Sequence, residues 1–261
     1  MSTASDEPRS EGTDATTDWF ESAFDSFYAQ LYAHRDRREA ARLIETLDRR
    51  FGLRGGVLDL ACGGGRFLQV MEDRGLRPFG LDLSSPLLAG ARAGLAHPRL
   101  LRADMRRIPF RGASFDWVLL LFTSFGYFAT PEEDAEVLDE VARILRPGGR
   151  FLLDYLNAAT TRSGLVPEST RTIDSYRVRE IRRIDEGGPY LRKEVLILDA
   201  AGAPVRSYEE RVRLYERDQL VALLAGHGLA SDQVMGDYDG GAFEEDRSDR
   251  LLLVAYRKDR R

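Results

Sequence analysis

Two periods of apolar spacing alternate along most of this chain. From Trp19 onward the large apolar residues fall at Trp19, Phe20, Ala23, Phe24, Phe27, Tyr28, Leu31 and Tyr32, the spacing of one helix face. Ala40, Leu43, Ile44 and Leu47 repeat that spacing and predict a second helix. The period then shortens. "GGVLDLA" through Val57, "RPFGLDLS" through Leu81, "RLLRAD" ending at Asp104 and "SFDWVLLLF" from Ser114 read as strands. The last of these is apolar on both faces, as a central parallel strand is. Helical patterns lie between them. One runs from Gly65 to a C-cap at Gly75, and another starts with Ser85 as N-cap and Pro86 in the first turn. A third starts with a capping box at Thr130, Pro131 and Glu133 and runs to about Leu145. "RPGG" then turns the chain into a fifth strand, "RFLLDYL". Strand and helix alternate throughout, which predicts βαβ units and a parallel sheet covered on both faces.

The pattern changes again near Thr170. Three strand-like runs follow with no helix between them, separated by the turns "EGGP" and "AAGAP". Hairpins of this kind predict an antiparallel lobe. After Tyr215 the α/β pattern resumes with the helix "RDQLVALLAGHG" and the strands "DQVMGDYD" and "DRLLLVAYRK". The expected organisation is a tail at 1–17, an N-terminal helical cap at 18–50, an α/β core at 51–157 and 216–261, and an inserted lobe at 158–215. The tail is rich in Ser, Thr, Asp, Glu and Gly, with little to bury, and is expected to be disordered.

Charge and cysteine usage narrow the classes. Lys and Arg number 38 against 43 Asp and Glu, a net charge of -5 that offers no general attraction to nucleic acid or an anionic membrane. The longest apolar runs are far too short to span a bilayer. There is one cysteine, Cys62, so no internal disulfide, and the three histidines have no metal spacing. With no basic and apolar leader at the N-terminus, a cytoplasmic location is expected.

"VLDLACGGGRF", Val57 to Phe67, carries the candidate chemistry. A phosphate-binding P-loop needs Lys and Ser or Thr after its glycines, whereas Arg66 and Phe67 follow here. A dinucleotide loop wants a third glycine where Leu68 stands. What remains is a nucleotide without a pyrophosphate. Asp59-Leu-Ala61-Cys62-Gly63-Gly-Gly65 resembles the first motif of the class I S-adenosylmethionine-dependent methyltransferases, an acidic residue leading into a glycine-rich turn, with Ala61 in place of the first glycine. Asp82 stands where the family's second acidic residue takes the ribose hydroxyls. Asp104 and Met105 stand where an Asp and a backbone amide meet the adenine.

The resemblance covers about Val57 to Asn157. It implies an α/β, Rossmann-like doubly wound sheet of about seven strands, mostly parallel with an antiparallel last strand, plus the inserted antiparallel β lobe. It implies S-adenosyl-L-methionine as cofactor, S-adenosyl-L-homocysteine as product, and a cofactor site that also takes in Leu83, Leu121 and Phe122. The N-terminal aromatic segment is expected to close over it, with Tyr28, Tyr32 or Arg35 meeting the methionine carboxylate; a surface helix end is the other reading.

The acceptor side is read from the loop after the fourth strand. DNA amino-methyltransferases carry a paired proline there, and "LFTSFGYF" has none. The stretch is closer to small-molecule N-methyltransferases acting on amino sugars or glycine. Thr123, Tyr127, Phe128, Tyr155, Asn157 and Tyr238 are the candidate substrate contacts, with core packing as the alternative for the aromatic ones. No metal is expected, nor is a catalytic base identified. The expected activity is methyl transfer to nitrogen or oxygen of a small molecule by a monomer or homodimer. An RNA or protein methyltransferase, a non-catalytic cofactor-binding module and an NAD-dependent reductase are the competing readings; the last lacks a Tyr-x-x-x-Lys pair.

Overall fold

In the computed structural model, residues 19–25, 27–28 and 37–259 are described. The expectations for the tail at 1–17 and for Leu31, Tyr32 and Arg35 lie outside them. The elements run α1 (Trp19–Ala23), α2 (Arg37–Phe51), β1 (Val57–Leu60), α3 (Arg66–Asp73), β2 (Phe79–Asp82), α4 (Ser85–Gly94), β3 (Leu100–Arg102), β4 (Phe115–Leu120), α5 (Pro131–Ile144) and β5 (Leu145–Leu156). They continue with α6 (Ala158–Ser163), β6 (Glu168–Ile173), β7 (Tyr176–Ile184), β8 (Tyr190–Leu198), β9 (Pro204–Arg213), α7 (Arg217–Gly226), β10 (Leu229–Met235) and β11 (Arg250–Arg257).

Seven strands form one sheet in the order β10-β11-β5-β4-β1-β2-β3. β1 sits between β2 and β4, parallel to both, with Leu58 opposite Phe79 and Val57 opposite Trp117. β11 alone runs against its neighbours, antiparallel to β5 and β10. The chain steps outward from β1 to β3 and then returns to β4 on the other side of β1. A crevice opens at the carboxyl ends where the order reverses.

Alternation along the central strands feeds a core on each face. Val118 and Leu120 of β4 join Leu58, Leu60 and the α5 residues Val137, Leu138 and Val141. Trp117 and Leu119 join Leu43, Ile44 and Leu47 of α2 and Leu68 and Met71 of α3 on the other side. The doubly wound fold expected from the sequence is therefore present.

Local details differ from the sequence reading. Ser84, not Ser85, caps α4: it keeps the extended backbone of the strand exit, and its side chain accepts from Leu87 N–H at 3.2 Å. "RPGG" is not a separate turn, because α5 runs directly into β5 at Leu145. β10 starts at Leu229, before the run expected to form it. The first lobe run is two strands, so the lobe is a four-stranded sheet, β6-β7-β8-β9. Asp174 makes that unforeseen turn at a φ of 52°, a left-handed conformation that Asp tolerates without any Gly or Pro to announce it. α6 was also unread. Asn157 caps it, accepting from Ala159 N–H at 3.2 Å.

Candidate active site

A cavity of about 530 Å³ opens at the carboxyl ends of β1, β2 and β4. Its floor is the glycine turn. Ala61, Gly63 and Gly65 all have positive φ, at 58°, 53° and 78°. The backbone therefore keeps the left-handed turn even where alanine replaces glycine. The glycines serve different ends. A Cβ on Gly65 would stand 2.9 Å from the Ala91 Cβ, so its absence lets α4 pack against the loop. A Cβ on Gly63 would meet only Leu87 Cδ1, at 3.9 Å, and one on Gly64 would meet nothing within 4 Å. These two positions face open space, where a ligand can approach the backbone.

Three acidic residues lead into this cavity. Asp59 ends on β1 with 1% of its surface exposed, and its Oδ2 has no hydrogen-bond partner among the described residues. Burial pushes its carboxyl up to about 8, Asp82 adds to the rise, and Arg66 opposes it. Asp82 accepts from Gly63 N–H at 2.7 Å through Oδ2 and from Ser84 N–H at 2.8 Å through Oδ1. Burial raises its carboxyl, and those amides hold the rise back. One carboxylate thus ties the glycine turn to the start of α4. Asp104 accepts from Arg106 at Nε, Nη2 and the backbone N–H, and Arg106 also pairs with Glu133 at 2.6 Å.

The opposite wall is aromatic. Phe20, Phe24, Tyr28, Tyr127 and Phe128 line it, with Leu83, Met105, Leu121 and Phe122 completing the enclosure. The N-terminal segment is held down by Trp19 Nε1–H donating to Tyr127 O at 3.1 Å and by Ser84 Oγ–H donating to Phe24 O. Phe20 meets Phe128 edge-on at 5.3 Å between ring centroids.

Of the residues singled out from sequence, the cavity brings together Tyr28, Asp59, Ala61, Cys62, Gly63, Asp82, Leu83, Asp104, Met105, Leu121, Phe122, Tyr127 and Phe128. Gly65 lies behind it as a packing position. Sequence reasoning missed Arg66 and Ser84, which line it. In the sequence, Arg66 stands out only as a residue that rules out a P-loop.

Four candidate substrate contacts lie outside the lining. Tyr155 is wholly buried, its hydroxyl bonded to Arg213 O and its ring beside Phe125 and Tyr215. Its place at a strand end resembled a site position, but its inward alternation sends it into the core. Asn157 is spent on the α6 cap and on Glu245 O and Ser248 O, at 2.7 and 2.8 Å. Tyr238 is buried and donates to Asp154 Oδ2 at 2.5 Å. Thr123 Oγ1 accepts from Arg250 at 3.0 Å.

These last two belong to a support built on Asp154, which is fully buried at the end of β5. Phe122 and Thr123 have consecutive positive φ values, 56° and 62°. Asp154 Oδ2 accepts from Phe122 N–H at 2.8 Å, and Asp154 O accepts from Thr123 N–H at 2.9 Å. Arg250 pairs with Asp154 Oδ1 at 2.5 Å. Left-handed residues other than glycine persist where surrounding contacts over-determine them, and such strain clusters at functional sites.

A second buried support joins the lobe to the cavity wall. Arg213, at the end of β9, donates from its backbone to Gly126 O at 2.8 Å and from its guanidinium to Ala129 O at 3.1 Å. It also reaches Asp134, whose carboxyl burial pushes up to about 6 against the opposing bonds from Tyr215 and Arg213.

Residues 57–149 match the model of a family described as a methyltransferase domain. The putative methyltransferase YqeM of Bacillus subtilis is 29% identical over 150 residues, 56% of this chain and 59% of that protein. The dTDP-3-amino-3,4,6-trideoxy-alpha-D-glucopyranose N,N-dimethyltransferase of Streptomyces venezuelae is 28% identical over 207 residues, 77% of this chain and 86% of that protein. Among solved structures, CalS10, an amino pentose methyltransferase from Micromonospora echinaspora solved with S-adenosylmethionine bound, is similar with a TM-score of 0.67 at 26% identity. That likeness covers 89% of this chain and 96% of CalS10.

Proposed function

We propose that this chain, whose residues 57–149 match a methyltransferase domain, is a class I S-adenosylmethionine-dependent methyltransferase that methylates a nitrogen or oxygen of a small-molecule acceptor, with an amine favoured. The observation that carries this reading is one cavity with an acidic floor and an aromatic wall. Aromatic faces attract cations, and the acceptor amine and a sulfonium both present positive charge. The likeness to an amino-sugar N,N-dimethyltransferase over 207 residues, beyond the methyltransferase domain itself, supports the same acceptor class.

The residues present suit the cofactor. The unpartnered Oδ2 of Asp59 is a buried acceptor in need of a donor, and the open faces of Gly63 and Gly64 leave room for a ligand against the backbone. Asp82 and Asp104 would take the ribose hydroxyls and the adenine, beside Leu83 and Met105. When bound, S-adenosylmethionine supplies an electrophilic methyl group. The work left to the chain is alignment and exclusion of water, and alignment alone supplies a large share of such an acceleration. Phe20, Phe24 and Tyr127 perform the exclusion in this reading. Among the described residues, no histidine lines the cavity and no cluster of His, Cys, Asp and Glu is arranged to hold a metal. We read the protein as cytoplasmic and acting as a monomer or homodimer; its net charge of -5 supports a reading without nucleic acid.

Calorimetric titration with S-adenosylmethionine, S-adenosylhomocysteine and NAD tests this. The first two are expected to bind, and Asp82→Asn is expected to weaken them by at least about tenfold through loss of hydrogen bonds to a charged group. Binding of NAD alone would overturn the assignment. Incubation with amino-sugar and other amine pools, read by mass spectrometry for added methyl groups, then tests the acceptor class. Turnover on RNA or protein instead would overturn the small-molecule reading.

A further inference from the structure

Arg66 occupies a setting that packing does not account for. It is the first residue of α3, directly after the glycine turn, and it lines the cavity. Its guanidinium lies 4.7 Å from the Phe67 ring centroid and 5.1 Å from that of Phe122. Its Nη1 donates to Glu39 Oε2 of α2 at 2.6 Å. That is the one hydrogen bond the guanidinium makes among the described residues, although the group has five N–H donors. An arginine held between aromatic rings and anchored at one end has little entropy left to lose when its free edge meets a carboxylate. Asp59 stands close enough for the two charges to influence each other, and its Oδ2 is buried without a donor. The cavity therefore presents a guanidinium and a carboxyl group that act on each other electrostatically, both with unspent bonding capacity. That pattern complements a zwitterionic amino-acid head group.

Arg37 also lines the cavity, but it pairs with Asp73, and both side chains are more than half exposed. An exposed pair of this kind contributes little. Arg66 is 17% exposed, so a carboxylate placed on it is less screened by water.

Resting on the cofactor assignment above, we infer that Arg66 binds the carboxylate of the cofactor's amino-acid end, while Asp59 receives its ammonium group. This places the anchor on α3 rather than on Arg35 of the N-terminal segment. Phe122 becomes part of the same device, because the Asp154 support holds its ring against the Arg66 guanidinium.

The test compares S-adenosylmethionine with its decarboxylated form in calorimetric titrations of the purified protein. The wild-type protein is expected to bind the carboxylated ligand at least tenfold more tightly. Arg66→Gln is expected to lose that preference by weakening S-adenosylmethionine while leaving the decarboxylated ligand within about twofold. Arg66→Met, which keeps the stem over Phe67 and Phe122, carries the same expectation if the glutamine variant does not fold. A preference that survives in either variant would overturn the inference, as would an equal loss of affinity for both ligands. A preference abolished by Arg35→Gln and untouched at Arg66 would return the anchor to the N-terminal segment. Failure of the wild-type protein to bind either ligand would instead strike the cofactor assignment.

Discussion

At the scale of single residues, the glycine turn shows how little freedom the site leaves. Gly65 combines a φ of 78° with a neighbouring Ala91 Cβ only 2.9 Å from where its own would stand. Gly65→Ala therefore incurs both left-handed strain and overpacking, and is expected to destabilise the fold by about 2–4 kcal/mol. Ala61 has the same handedness, at a φ of 58°. Ala61→Gly is expected to be neutral or stabilising by up to about 1 kcal/mol, since relief of strain is partly offset by the added freedom of the unfolded chain. Urea unfolding midpoints of the two variants check both signs. A Gly65→Ala protein as stable as the wild type would show that α4 is free to shift away from the loop.

At the scale of elements, helix starts position the cavity walls. α5 begins one residue after Thr130, and Phe128 of the aromatic wall sits two residues before that cap. Thr130 Oγ1 accepts from Glu133 N–H at 3.3 Å, and the Glu133 carboxylate returns a bond to Thr130 N–H at 3.1 Å. Glu133 also pairs with Arg106, which in turn holds Asp104. One capping box thus links a helix start, the aromatic wall and an acidic residue of the floor. Thr130→Ala is expected to cost about 1 kcal/mol of stability. It is also expected to weaken S-adenosylmethionine binding slightly through Asp104. Thermal unfolding and calorimetry on the same variant check both. An effect on stability with unchanged affinity would confine the box to the helix.

At the scale of the whole molecule, buried carboxylates set the response to pH. Asp59 is pushed up to about 8 and Asp134 to about 6, and Asp82 is also raised, each chiefly by burial. A raised carboxyl means that the folded protein keeps a proton the unfolded chain has already released. Stability from such groups is present at low pH and falls as pH rises, from about 4 until the folded value is passed. Asp116 and Glu140, lowered by their arginine partners, act in the opposite sense, and their contribution is lost only as pH falls below the usual carboxylate range. In the absence of ligand, stability is therefore expected to decline between pH about 5 and 8. Asp59→Asn is expected to flatten the portion above about 6, leaving the lower portion to Asp134. Urea midpoints measured across that range decide it, and an unchanged slope in the variant would remove Asp59 as its source.

Period and motif order belong to the sequence by itself. Alternating strand and helix spacing specifies a parallel doubly wound sheet, because each pattern has one way to bury its apolar face. The glycine turn was legible because left-handed backbone favours small residues locally, and Asp59, Asp82 and Asp104 were legible because their motifs resemble those of a known family. Tertiary structure decided what local pattern does not encode. It sent Tyr155 into the core, committed Asn157 to a helix cap, and turned Tyr238 toward Asp154. A strand end looks alike in sequence whichever way its side chain points. It also placed Arg66 in the cavity, where Phe122, 56 residues further along the chain, and Glu39 of another helix fix its direction. Contacts between residues so far apart follow from how the layers meet, and no window along the chain contains them.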